Sequence, residues 1–200
     1  MNTYSKKLLQ QVYSPNTLIA EYTSAGTYSL ELKGSGLYDV EAISGGASGK
    51  KVDSGTALHY YYHGGTGAYY KGVLRLKNDV YTVAVGAGGG STSINAGYKS
   101  GGATSITNSS SAAQLSLSGG SSAGGALTDS TAETTRTTYN AGTKAACTAS
   151  GKDLYYYSNV GKTNAPVPND LKGYGYGGGS SLYGGQAGGA GYLKITYIGN

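Results

Sequence analysis

The run LHYYYHGGTGAYY, from Leu58 to Tyr70, holds the chain's two histidines. His59 and His63 lie four residues apart around Tyr60, Tyr61 and Tyr62. On a helix this spacing puts both imidazoles on one face, where they can share a metal ion. Here the run continues into Gly64-Gly65, and no Glu follows the first histidine as the helical zinc motif requires. In a strand, residues four apart are about 13 Å apart, too far for one ion. Cys147 is the single cysteine, so neither a Cys-based zinc site nor an internal disulfide can be built. Only convergence of the pair from several subunits on a symmetry axis leaves a metal route open. The pair reads as two ordinary histidines in a surface loop, and no cofactor is expected.

Other chemical signatures fail on context. Gly120-Ser121-Ser122-Ala123-Gly124 has the spacing of a nucleophile elbow. An elbow needs an apolar strand before it, a helix after it and a later histidine, and both histidines come earlier. Gly161-Lys162-Thr163 has the end of a phosphate loop, but Tyr156 stands where its first glycine belongs. Asn108-Ser109-Ser110 is a glycosylation sequon with meaning only after secretion. The carboxylates form no pair of the kind that glycoside hydrolysis needs. The sequence reads as a non-enzyme.

The elements that would position any site are strands. Helical periodicity is nearly absent, with one short helix at most over residues 3–13. Glycine-flanked segments with two-residue alternation recur instead. They are Asn16–Thr23, Thr27–Lys33, Tyr38–Ala42, Tyr70–Leu76, VYTVAVG from Val80, and a last strand, GYLKITYIG. The alternation puts Tyr28, Leu30 and Leu32 on one face of their strand and Ser29 and Glu31 on the other. Tyr38, Val40 and Ala42 point inward, with Asp39 and Glu41 outward. Tyr70, Leu74 and Leu76 oppose Lys71, Val73 and Arg75. Tyr81, Val83 and Val85 share a face, and Leu193, Ile195 and Tyr197 oppose Lys194 and Thr196. Weaker strand signals sit at Gln114–Leu117 and Leu154–Tyr157. Short strands separated by turns predict an all-β fold, an antiparallel β-sandwich of jelly-roll or TNF-like type. Residues 1–15 read as an attachment arm. Residues 16–200 read as one glycine-rich domain with a polar insert at about 107–170.

Composition narrows the function. The formal net charge is +5, with basic residues scattered rather than gathered into the stripe of a nucleic-acid protein. No stretch approaches the ~20 apolar residues of a membrane span. Leu8-Leu9 is too short for a signal-peptide core, so the chain is expected to be made without a secretion address. Glycine contributes 36 residues without the triplet period of collagen. The tracts at 44–67, 86–102 and 173–191 are expected to pack on the sandwich as ordered glycine-rich segments.

Three stretches carry a resemblance: TYSLELKGSGLYDVEAISGGASG, AYYKGVLRLKNDVYTVAVGAGGGS and GGQAGGAGYLKITYIG. Each joins strand to glycine burst, and the layout resembles the glycine-rich domains of bacteriophage tail-fibre and adhesin proteins. YTVAVGAGGG is its most specific part. The resemblance implies a sandwich with glycine-rich loops or polyglycine-II-like segments and a virion role, structural or receptor-binding. It further implies a homo-oligomer, a trimer or a filament, at the virion or extracellular surface. Such domains often carry Phe or Trp, whereas this chain has 21 Tyr, no Phe and no Trp.

Tyrosine buries ring area like phenylalanine and still hydrogen-bonds through its hydroxyl, so it suits a core packed against polar backbone. Tyr, Ser, Gly and Asn also dominate antibody binding loops, where they supply rigid amphipathic area and adaptable hydrogen bonds. The candidate contact surface is therefore Tyr60, Tyr61, Tyr62, Tyr69, Tyr70, Tyr155, Tyr156, Tyr157, Tyr174, Tyr176 and Tyr183. Such a surface would grip a host cell-surface glycan or protein, or a neighbouring subunit. In the second case the chain is a self-assembling subunit of an extracellular filament or a capsid decoration.

Overall fold

A computed structural model describes residues 13–54, 58–62, 64–121, 154–156, 173–175, 177–178, 180–181 and 184–199. The expected attachment arm up to residue 12, with nearly all of the short helix at 3–13, and most of the 107–170 insert lie outside them. Among the described residues the fold is all-β, with no helix. No helix there is long and apolar enough to cross a membrane.

Two antiparallel sheets carry the core. The first has strands β1 (Thr17–Tyr22), β3 (Gly36–Ile43), β6 (Ala68–Leu76), β10 (Leu154–Tyr156) and β13 (Tyr192–Gly199), in the order β1-β13-β3-β6-β10. The second has β2 (Gly26–Leu32), β7 (Asp79–Val85), β8 (Thr104–Thr107) and β9 (Ala113–Leu117), in the order β2-β7-β8-β9. Their inner faces share one cluster. Tyr38, Val40, Tyr70, Leu74 and Ile195 from the first sheet meet Leu32, Tyr81, Val83, Ile106 and Leu115 from the second. The predicted inner faces of β2, β3, β6, β7 and β13 are those buried there, with Tyr28 of β2 half-buried at the margin.

The outer face of the first sheet differs from expectation at Glu41. Alternation does point it outward, yet it is only 6% exposed. Ile43, Tyr69 and Tyr192 form a second small cluster on that face, with Tyr174 packed against it. The Tyr69 hydroxyl donates to Glu41 Oε1 at 2.6 Å, and Lys71 Nζ stands 3.4 Å from the same oxygen. A charge covered by neighbours persists only when hydrogen-bonded and paired in this way. Register sets Glu21, Lys194, Glu41 and Lys71 side by side across four strands, a row of alternating sign.

Lys77 and Asn78 connect β6 to β7. The Tyr81 hydroxyl accepts the Lys77 N–H at 3.0 Å and donates to the Lys77 carbonyl at 3.1 Å. Next to this turn, Asp79 accepts the Val80 N–H at 2.8 Å and the Ser109 N–H at 3.4 Å. Bonding to Ser109, chiefly through its side chain, and to Val80 holds the Asp79 carboxyl below the usual range. A lowered folded value means that this contribution is present above the ordinary aspartate range. It is lost as pH falls through the lowered value. Asp79→Asn should therefore lower the neutral plateau slightly and leave stability below the lowered value unchanged, which flattens the acid limb of a stability-against-pH curve. Denaturant unfolding across that range checks it, and an unchanged acid limb would contradict the assignment.

Beyond the sheets, the glycine tracts hydrogen-bond to one another. Segment 44–49 leaves β3 and runs through the middle of six others. Ser44 and Ala47 donate to Ala68 and Gly65 at 3.0 and 2.8 Å. Gly45 and Ser48 donate to Gly102 and Lys99, and Gly46 and Gly49 donate to Gly189 and Gln186. Residues three apart thus address the same neighbour, the period of a polyproline-II helix. The carbonyls of Gly45, Gly46 and Ala47 accept from Gly120, Gly89 and Gly178, in three further segments. Around the centre, donor-side and acceptor-side neighbours alternate.

The six outer segments also bond to each other and close the ring. Gly65 donates to Ser121, Gly101 to Gly120, Gly102 to Ala87, and Gly188 to Gly89. Gly175 donates to Ala190 and Gly64 to Gly178. Spacing this close needs missing side chains. A Cβ on Gly86, Gly101 or Gly119 would overlap a backbone carbonyl of the next segment.

Candidate functional site

The central rod and five of the outer ones join a core strand at one end. Rods 44–49, 86–90 and 118–121 leave β3, β7 and β9, while 64–67, 99–102 and 186–191 lead to β6, β8 and β13. The other ends therefore gather their loops away from the sheets. There, β4 (Lys50–Ser54) pairs with β5 (Leu58–Tyr62), and β11 (Ser180–Ser181) pairs with β12 (Gly184–Gly185). β11 and β12 pack beside β4, and β11 also beside β5.

The segment 91–98 ties these ribbons together. Thr92 and Gly185 exchange backbone hydrogen bonds at 2.9 and 3.0 Å, and the Thr92 hydroxyl donates to the Gly49 carbonyl at 3.0 Å. The Asn95 N–H donates to the Lys51 carbonyl at 2.8 Å. Asn95 has a φ of 62°, a left-handed turn that Asn tolerates better than most residues. Lys50 Nζ lies 5.5 Å from the centre of the Tyr98 ring, a cation–π contact. Ile94 is 39% exposed beside them. This tip offers a cation, a ring face, amide groups and an apolar side chain. It suits contact rather than proton transfer.

The structure divides the predicted tyrosines. Tyr60, Tyr61 and Tyr62 lie on β5, opposite Val52, Lys51 and Lys50, so the expected loop is a strand of the tip ribbon. His59 stands opposite Asp53 in the same ribbon, and His63 lies outside the described residues. Tyr69 is not in a loop either, and Tyr70 stands on the inner face of its strand, as alternation predicts. They open β6 and are buried, Tyr70 in the main core and Tyr69 over Glu41. Neither ring reaches the surface of the chain. Tyr174 is half-buried against Tyr192, ring centres 5.0 Å apart. Tyr155 and Tyr156 lie on β10, paired with Tyr69 and Ala68 of β6. Tyr157, Tyr176 and Tyr183 lie outside the described residues.

Segment 91–98 and its Tyr98 were hidden inside a glycine tract. The signal that could have marked them is local, since Ile94, Asn95 and Tyr98 break an otherwise small-residue run. Among the described residues no three His, Cys, Asp or Glu side chains gather as a metal would need. No protein-family model matches this chain, and none of the curated proteins does.

Proposed function

We propose that this chain is a non-enzymatic bacteriophage virion protein of the tail-fibre or receptor-binding type. Its two sheets form a sandwich of jelly-roll or TNF-like kind, and its seven rods form a polyglycine-II bundle. The observation that carries the reading is the wiring of that bundle, with strands at one end and three loop segments together at the other. A rod of six residues at ~3.1 Å each spans about 19 Å. Its hydrogen bonds to neighbours make it a stiff mount. Loops on stiff mounts lose little freedom on binding, which favours affinity. The partner is a host surface glycan or protein, and the site of action is the virion surface.

The second reading is a self-assembling structural subunit. Leu18 and Val73 favour it, being exposed by 52% and 42% in one row on the outer face of the first sheet. Replacing Tyr60, Tyr61 and Tyr62 together by Ser separates the two. For a receptor-binding protein, host-cell binding should fall at least about tenfold, as expected when aromatic anchors are lost, with assembly state unchanged. Lost assembly with no host binding by the parent chain would support the structural subunit.

A further inference from the structure

The outer edge of β2, unpaired among the described residues, matches a second copy of itself. β2 forms one margin of the second sheet, and all seven residues from Gly26 to Leu32 pair with β7 in unbroken register. On its other side no described residue hydrogen-bonds to its backbone. In an antiparallel edge strand, alternate N–H and C=O groups face outward there. Natural edges are usually blunted by bulges, proline or lysine. β1 has a bulge between Leu18 and Ala20, follows Pro15 and starts after Asn16 at a φ of 64°. β9 is shorter, its register with β8 shifts, and the Ser118 carbonyl just past its end accepts the Ser44 hydroxyl. β2 has no bulge, no proline and no basic residue.

We propose that two copies of this chain join β2 to β2, antiparallel about a two-fold axis at Ser29. This register uses the whole strand. Ser29 meets Ser29 of the second copy, and Thr27 meets Glu31 in both directions. On the inner face Tyr28 meets Leu30. Tyr28 is half-buried, stacked on Tyr22 with ring centres 4.6 Å apart, and its hydroxyl donates to the Ser24 carbonyl. It is thus already fixed as a wall for the incoming strand. A two-fold axis at Glu31 would oppose two carboxylates, which cross-strand pairing disfavours. The axis at Ser29 opposes no like charges. The contact is isologous and closes on itself, joining two four-stranded sheets into one. It does not rest on the host-binding reading.

Sedimentation equilibrium of the full chain tests it with two variants at exposed side chains. The parent should show a reversible monomer–dimer equilibrium. Ser29→Lys places two ammonium groups face to face and should weaken the dimer about tenfold. Thr27→Lys puts Lys opposite Glu31 twice and should tighten it. Both add one positive charge per chain, so nonspecific repulsion would move both the same way. Should Ser29→Lys fail to fold, Ser29→Cys in a Cys147→Ala background gives the same answer. It should form a disulfide-linked dimer on oxidation. A parent that stays monomeric, variants that shift together, an assembly untouched by Ser29→Lys, or no cross-link would each overturn the pairing.

Discussion

Gly45→Ala should lower folding stability by about 3–5 kcal/mol, a loss at the upper end for a single methyl group. Gly45 lies in the central rod, and a Cβ there would overlap the Ala87 carbonyl oxygen. The next atoms met are Ala87 C at 2.7 Å and the Gly102 N at 3.1 Å. These are backbone atoms of two outer rods, not side chains that can swing aside. Relief would require moving a rod, and the Gly45 and Gly102 hydrogen bonds with it. Gly97 provides the control. It has open space where a Cβ would go, so Gly97→Ala should be neutral or slightly stabilising through the unfolded chain. Urea unfolding of both variants reads the difference directly. Equal midpoints would mean that the rods are not packed in solution.

Tyr38→Ala should cost about 3–5 kcal/mol, whereas Tyr38→Phe should cost only about 1 kcal/mol. Tyr38 is fully buried, and its ring meets the Tyr197 ring edge-on with centres 5.3 Å apart. Tyr13 adds a further ring 5.5 Å from Tyr197. Truncation therefore removes a fully buried ring from an aromatic group centred on Tyr197. The hydroxyl has a separate task, donating to the Gly34 carbonyl at 2.5 Å. Burial, with Tyr13, Tyr197 and Tyr81 nearby, pushes its ionisation well above the usual phenol range, so it stays a donor. The pair of variants thus separates ring from hydroxyl. Equal losses would place the whole contribution in the hydrogen bond.

The same division between ring and hydroxyl accounts for tyrosine at four buried positions. At Tyr38 and Tyr81 the ring fills the core while the hydroxyl closes a turn beside it. At Tyr69 and Tyr192 the hydroxyl reaches Glu41 and Glu21. Phenylalanine would fill the same space without these hydrogen bonds.

The strands were legible because alternation survives in the sequence. Tyr28 to Leu32, Tyr38 to Ala42 and Leu193 to Tyr197 each carry inner-face residues at every second place, which only one sheet face can bury. Where polar residues sit on both faces, the signal fails. Thr104–Thr107 became β8 without having stood out, since Ile106 is its only large apolar residue. Tyr69 read as a loop residue because GGTG precedes it, while Tyr70 read both as the first inner-face residue of a strand, which it is, and as a contact residue. In fact the glycines end where rod becomes strand, so the tyrosines begin β6. Of the candidate site, the Tyr60 to Tyr62 run was legible, but not its partners. Lys50 and Tyr98 meet only because separate rods deliver them to one end. The period of three in the rods leaves no side-chain trace, since its partners are backbone groups far away in sequence.

The central rod has a consequence for how the chain folds. Its six donors find partners between Gly65 and Gly189. Gly175, Gly178 and residues 186–190 complete the ring, so a chain emerging from the ribosome cannot finish its bundle until residue 190 has been made. Until then the 44–49 segment keeps unpaired amide groups on the sides where the last rods belong. Contacts that close such long loops make folding slow. The finished bundle is rigid because its members come from everywhere in the sequence. For the same reason it is among the last parts to form, and the unfinished chain must be kept from pairing with its neighbours.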